Sequence, residues 1–172
     1  MTDAALTAAV QDGFWQTAEA LMFHHTNPWE LDEALTEWGY AMGPCEAQDL
    51  LGLDKVLARR PLCVVPILPR MVAEGRMGKG GGVGYYRYPG GGGAVIDPLI
   101  EDLILEEAWF AGAKRSDLSD AALVDRMHRA LGDLCRSVMA AGAARPALQD
   151  ALQNGLHMDK GRVGAFMELI GP

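Results

Sequence analysis

The side chains able to do chemistry are few and poorly placed for it. His24 and His25 are neighbours, and adjacent side chains on a helix point apart, so a metal there would need ligands from elsewhere. His128 and His157 have no partner four residues on, and no H-E-x-x-H occurs. Ser116, Ser119 and Ser137 lie outside any G-x-S-x-G elbow. Cys45 follows Pro44 at an expected helix start, where the helix dipole lowers a thiol pKa, but a buried cysteine is the plainer reading. We therefore assign no catalytic residue and no metal ligand.

Two further features invite a chemical reading and fail it. The glycine tract Gly78 to Gly93 holds no G-x-G-x-x-G, and no strand-rich segment precedes it to build a nucleotide-binding βαβ unit. Ala73-x-x-x-x-Gly78-Lys79 misses a phosphate loop because Gly80 stands where a hydroxyl must reach magnesium. Asp32 falls in the middle of an apolar-faced helix, and a buried acid there must be hydrogen-bonded. Asp49 and Asp54 flank Leu51-Gly52-Leu53 and are expected to bond that turn's amides. All three acids read as holding the fold.

Most of the elements that carry these residues are helical. Leu6, Val10, Phe14, Trp15, Ala18, Leu21 and Met22 recur at helical period over residues 4–23, with Gly13 costing about 1 kcal/mol relative to alanine. Asn27 caps a helix opened by Pro28 and stopped by Gly39, with Leu31, Ala34, Leu35 and Trp38 on one face. Pro44 starts a third helix, and Pro61 to Ala73 reads as a fourth, opened by Pro66. Tyr85, Tyr86 and Tyr88 predict a short strand or hairpin in the glycine-rich stretch. Asp97-Pro98 opens a helix to Phe110 with Ile100, Leu103, Ile104 and Ala108 inward, and residues 112–117 form a polar linker. Ser119 caps a longer helix to Ala141.

Composition narrows the functional classes. The chain has 172 residues, is 49% hydrophobic and carries a net charge of −8, which argues against binding a nucleic-acid backbone. Arg59-Arg60 and Arg76 with Lys79 are its positive clusters and read as solvated. Apolar runs are too short for a membrane span, and no basic region leads an apolar stretch as in a signal peptide. Three cysteines, Cys45, Cys63 and Cys135, share no C-x-x-C spacing, so reduced thiols and a cytoplasmic location are expected.

Three stretches together carry a resemblance: Trp38-Gly39-Tyr40-Ala41-Met42-Gly43-Pro44, then Asp49-Leu50-Leu51-Gly52-Leu53-Asp54, then Gly75 to Tyr88 with Gly78, Gly82, Gly84, Tyr86 and Tyr88. With Asp32 in the preceding helix they resemble the C-terminal helical domain of 3-hydroxyacyl-CoA dehydrogenases, a 6-phosphogluconate dehydrogenase C-terminal-like fold. The motif positions Asp32, Met42, Gly43, Pro44, Asp49, Gly52, Asp54, Gly78, Gly82, Gly84, Tyr86 and Tyr88 are then structural. Gly80-Gly81 replaces the family's Lys-Thr pair, so any ionic role of that lysine is lost or moved to Lys79.

The resemblance implies a mainly α bundle of two tandem, unequal repeats with a short Gly/Tyr-rich hairpin. A first unit spans residues 1–112 and a second, degenerate helical unit spans 113–172. In the second, Gln149 stands for Asp32, and Gly155 to Gly164 only loosely follows the family's turn. The family's NAD and its His–Glu base pair belong to a nucleotide-binding domain that comes first, and nothing precedes the helical part here. This chain alone is therefore expected to bind no cofactor. The family's Asn-Arg pair on the first helix lands on Ala8-Ala9, which hydrogen-bond nothing.

The function so implied is a stand-alone helical module of fatty-acid β-oxidation, inactive alone. Its possible partners are acyl-CoA, a second copy, or a separate nucleotide-binding dehydrogenase subunit, and not nucleic acid or membrane. A subunit of a split NAD-dependent enzyme and a pure assembly module are the rivals. Trp15, Phe23, Trp29 and Trp109 are the candidate contact anchors.

Overall fold

A computed structural model describes residues 1–60 and 62–172. The first long apolar pattern folds as α1 (Asp3–His24), with Thr2 Oγ1 accepting the Ala5 amide at 3.1 Å as its cap. The periodic residues are buried as expected, and so are Glu19 and Phe23. Of the candidate contact anchors, Trp15, on the periodic stripe, and Phe23, off it, are only 2% and 5% exposed. The reason is geometric: other helices pack around α1 on several sides, so its buried arc is wider than an amphipathic stripe. Trp29 is partly buried against the core, while Trp109 stays 76% exposed. Gly13 weakens α1 in isolation, but a Cβ there would overlap the Leu134 side chain of a later helix. Close helix packing explains it.

Helix α2 (Pro28–Trp38) starts as its residues dictate: Asn27 Oδ1 accepts the Glu30 amide at 2.9 Å and Pro28 fills the first turn. Helices α3 (Pro44–Leu51) and α4 (Leu53–Ala58) follow, hinged at Gly52. The expected helix from Pro61 to Ala73 is shorter, since α5 covers Leu68–Ala73 and residues 62–67 are not helical. Pro61 itself lies outside the described residues. A helix opened at Pro66 would place Pro69 fourth, at the first position whose N–H must donate within the helix. Starting at Leu68 puts Pro69 harmlessly in the first turn.

The tyrosines form the expected hairpin, in which β1 (Tyr86–Arg87) pairs antiparallel with β2 (Val95–Ile96), Tyr86 opposite Ile96. Helix α6 (Pro98–Phe110) is capped by Asp97 and buries Ile100, Leu103, Ile104 and Ala108. After the linker, α7 (Asp120–Ala140) starts at the Ser119 cap and packs along α1. Helix α8 (Arg145–Asp150) runs into a π-helical turn (Ala151–Gly155), and α9 (Lys160–Ile170) ends the chain. The fold is mainly α. One hydrophobic cluster reaches from Leu6 to Ile170, so residues 1–112 and 113–172 share a core. They also meet through a backbone bridge between Tyr40 and Met158, with the Ala41 amide donating to the His157 carbonyl at 2.7 Å.

Candidate functional site

The start of α3 poses a problem that its own sequence cannot solve. Its N-cap is Gly43, which has no side chain to accept the first amides. Asp32 on α2 supplies the acceptor instead. Its Oδ1 takes the Cys45 amide at 2.9 Å and its Oδ2 takes the Glu46 amide at 3.0 Å. The Tyr86 hydroxyl donates to Oδ2 at 2.8 Å. Any Cβ on Gly43 would overlap the Asp32 carboxyl, so the missing cap and the borrowed one require each other.

Asp49, near the end of α3, repeats the arrangement for the hairpin. The Tyr85 and Tyr86 amides donate to Oδ1 and Oδ2 at 2.8 and 3.0 Å, and the Tyr88 hydroxyl donates to Oδ2 at 2.7 Å. A Cβ on Gly84 would overlap Oδ1. Arg76 braces the same loop, donating to the Gly84 carbonyl at 2.9 Å and to Asp97 Oδ2 at 2.7 Å.

These geometries correct part of the expectation from sequence. Asp49 bonds the hairpin amides rather than those of the Leu51-Gly52-Leu53 turn, because it faces inward. Asp54 is exposed and makes no side-chain hydrogen bond among the described residues; its place in the first turn of α4 suits the helix dipole. Met42 packs partly buried against the core, and Gly52, Gly78 and Gly82 hold φ of 104°, 104° and 85°. Lys79 places its ammonium 5.8 Å from the Tyr88 ring centroid.

Burial pushes the Asp32 carboxyl up to about 7, against the pull of its amide and hydroxyl donors. It pushes Asp49 up to about 6 in the same way. Such values suit proton transfer, but both carboxyls are enclosed and fully engaged by backbone and tyrosine, leaving no approach for a substrate. Cys45 lies fully buried with Sγ 3.6 Å from Met22 Sδ, and burial with nearby Asp32, Asp49 and Glu19 drives its thiol well above the ordinary range. It is no nucleophile.

A second buried polar centre was not legible in the sequence. Glu19, flanked by alanines on α1, accepts from Arg60 at 2.6 Å, and Arg60 also reaches Gln48 Oε1 at 3.4 Å. Burial raises Glu19 to about 7 while Arg60 pulls it down. The Arg59-Arg60 cluster, expected to be solvated, is thus engaged: Arg60 is buried, and Arg59 binds Asp12 at 2.9 Å and lies 5.1 Å over Trp15. The adjacent arginines were the available signal for a buried acid.

His25 and His128 are engaged within the fold. Arg126 donates to His25 Nε2 at 3.3 Å, which assigns the ring proton to Nδ1, where it donates to the Ser116 carbonyl at 2.8 Å. With no lone pair facing it, Ser116 Oγ, 3.2 Å away, is not activated. His128 accepts or donates at 3.1 Å with the Tyr40 hydroxyl amid Trp38 and Phe166, and burial lowers it to about 4. No group of three His, Cys, Asp or Glu side chains fit for a metal occurs among the described residues. Ala8 and Ala9 sit partly buried on α1.

Helices clasped by paired carboxylates under a tyrosine hairpin make a helical domain, and comparison shows what it is similar to. Residues 7–88 match the family described as 3-hydroxyacyl-CoA dehydrogenase, C-terminal domain. A peroxisomal fatty acid beta-oxidation multifunctional protein of Oryza sativa subsp. japonica is 32% identical over 108 residues, covering 55% of this chain and 15% of that protein. A peroxisomal bifunctional enzyme of Danio rerio is 26% identical over 144 residues, covering 70% and 20%. The dehydrogenase part of multifunctional enzyme 1 from C. elegans matches the fold with a TM-score of 0.72 at 19% identity, over 90% of this chain and 37% of that one. The chain therefore spans a fifth or less of these curated relatives. Among the described residues no helix is long and apolar enough to cross a membrane.

Proposed function

We propose that this chain is the substrate-closing and assembly module of a 3-hydroxyacyl-CoA dehydrogenase, binding acyl-CoA or a partner and transferring no hydride by itself. One observation carries the reading. The buried acids at the family's motif positions, Asp32 and Asp49, are spent on backbone amides and tyrosines, and the first helix offers alanines at 8 and 9. Residues 113–172 fit a second, degenerate unit in which the cap problem is solved differently: Asp159 caps α9 itself, accepting the Gly161 amide at 2.8 Å. The test is the purified chain with 3-hydroxybutyryl-CoA and NAD. We expect no NADH, and turnover above background refutes the module reading.

The relatives' names, a multifunctional protein and a bifunctional enzyme, support one rival, a split enzyme completed by a separate nucleotide-binding subunit. Adding such a domain should restore NAD-dependent oxidation if that rival holds; Ala8 and Ala9 argue against it. Calorimetry with acetoacetyl-CoA separates substrate binding, which releases heat, from pure assembly as a dimer, which does not. Three unpaired thiols support a compartment that is not oxidising, which fits both the cytoplasm and the peroxisomes of the relatives' names, and imaging of a tagged chain decides between them.

A further inference from the structure

Helix α6 has two faces, and only one is used by the fold. Ile100, Leu103, Ile104 and Ala108 enter the core. The opposite face shows Leu99, Asp102, Leu105, Glu106, Trp109 and Phe110, within an arc of about 140° at 100° per residue. Leu99 is 65% exposed, Trp109 76% and Phe110 65%, and the last two rings meet edge to face with centroids 5.5 Å apart. Exposed Val95 and Ile96 of β2 precede the helix in the chain. An exposed aromatic pair beside leucines is the composition of an interface anchor rather than of a solvated helix.

The charge on this face says what kind of surface covers it. Asp102 lies between the leucines and the aromatics with no ion pair or side-chain hydrogen bond among the described residues. Glu106 holds Arg70 at 3.4 Å, but Arg70 lies closer to Glu74 and Glu107, at 3.0 and 3.1 Å. Two exposed cations are close in the chain, Arg87 opposite Val95 in the hairpin and Lys114 four residues past Phe110. A second copy of this chain, net charge −8, would bring Asp102 and Glu106 against their own counterparts. Anionic lipid is repelled for the same reason.

We propose that this face of α6 docks an amphipathic helix of another protein. That helix carries apolar residues at i, i+3 and i+4 around a lysine or arginine, with Trp109 and Phe110 as anchors and Asp102 as counter-charge. The exposed strip from Leu99 to Phe110 is about 16 Å long, enough for three turns of such a helix.

The test is calorimetric titration at low salt with two synthetic amphipathic helical peptides, identical except that one carries leucine and lysine and the other leucine and glutamate. Wild type should bind the Leu/Lys peptide. Trp109→Ser should weaken that binding about tenfold or more, the scale of a truncated interface tryptophan. Asp102→Lys should weaken it too and admit the Leu/Glu peptide. Both substitutions lie outside the core, and an unchanged melting curve verifies folding. Failure of wild type to bind the Leu/Lys peptide overturns the proposal. So does equal binding by Trp109→Ser or by the Leu/Glu peptide. A wild-type dimer that Trp109→Ser dissociates overturns it as well, because the occupant is then a second copy.

Discussion

Replacing Asp49 with asparagine isolates what one buried carboxylate does for this fold. Three donors converge on it: the Tyr85 and Tyr86 amides and the Tyr88 hydroxyl. Asparagine keeps one acceptor for the Tyr85 amide but turns an NH2 group toward the Tyr86 amide, 3.0 Å from the oxygen it replaces. The tyrosine hydroxyl can rotate and accept, whereas the amide cannot. One buried N–H is left without a partner, at about 1–3 kcal/mol. Conversion of the other two bonds from charged to neutral costs about 0.5–1 kcal/mol each, for a total of about 2–5 kcal/mol.

Urea unfolding at pH 8, where a carboxyl raised only to about 6 is ionised, measures the loss. Tyr88→Phe should cost about 1.5–2 kcal/mol in wild type and about 0.5–1 kcal/mol less beside Asp49→Asn, where the bond survives only as a neutral one, the signature of a shared interaction. A stability for Asp49→Asn within about 0.5 kcal/mol of wild type, or full additivity with Tyr88→Phe, refutes the assignment.

Gly43→Ala forces a methyl into the Asp32 carboxyl and should cost about 2–3 kcal/mol in the same assay, far more than alanine ordinarily costs at an N-cap held by glycine. For the buried pair, Glu19→Met or Arg60→Met alone should destabilise by about 3–5 kcal/mol, while the double substitution recovers most of it, since each single change strands a buried charge. Stability should also rise as pH falls from about 8 to about 6. Asp32 and Glu19 have folded values near 7, above their unfolded ones, so their stabilising contribution is complete below the unfolded pKa and is lost as pH rises through 7. Each contributes about 1.4 kcal/mol across that window. His128, lowered to about 4, acts in the opposite sense, its contribution fading as pH drops below its unfolded value. Thermal melts across pH that show a monotonic rise from pH 6 to pH 8 contradict this balance.

Where the chain signals locally, the fold was legible. Asn27-Pro28, Asp97-Pro98 and Ser119 each mark a helix start within a few residues, and each cap is made by the residue expected. The tyrosine hairpin and the hydrogen bonding of the buried Asp32 followed from burial and motif together, whereas Asp49 bonds the hairpin and not the turn expected for it. What stayed hidden depends on distant partners. Glu19 meets Arg60 across 41 residues, and Asp49 meets Tyr85 across 36, so no local window reveals either bond. Phe23 looked like a surface anchor because it falls off the periodic stripe, yet α1 is buried on more than one side; Trp15, on the stripe, is buried as its spacing predicts. The start of α5 turned on two prolines three apart, where the second vetoes a helix the first invites.

Tyr86 gives its amide hydrogen to one acid and its hydroxyl hydrogen to the other. A single residue thus clasps α2, α3 and the hairpin, and none of the three can open while the others stay closed. Amide exchange at Tyr86 should accordingly be as slow as in the helical core, however loop-like its glycine-rich surroundings look. A lineage that lost one acid would loosen its grip on the other, so the two are expected to persist or vanish together.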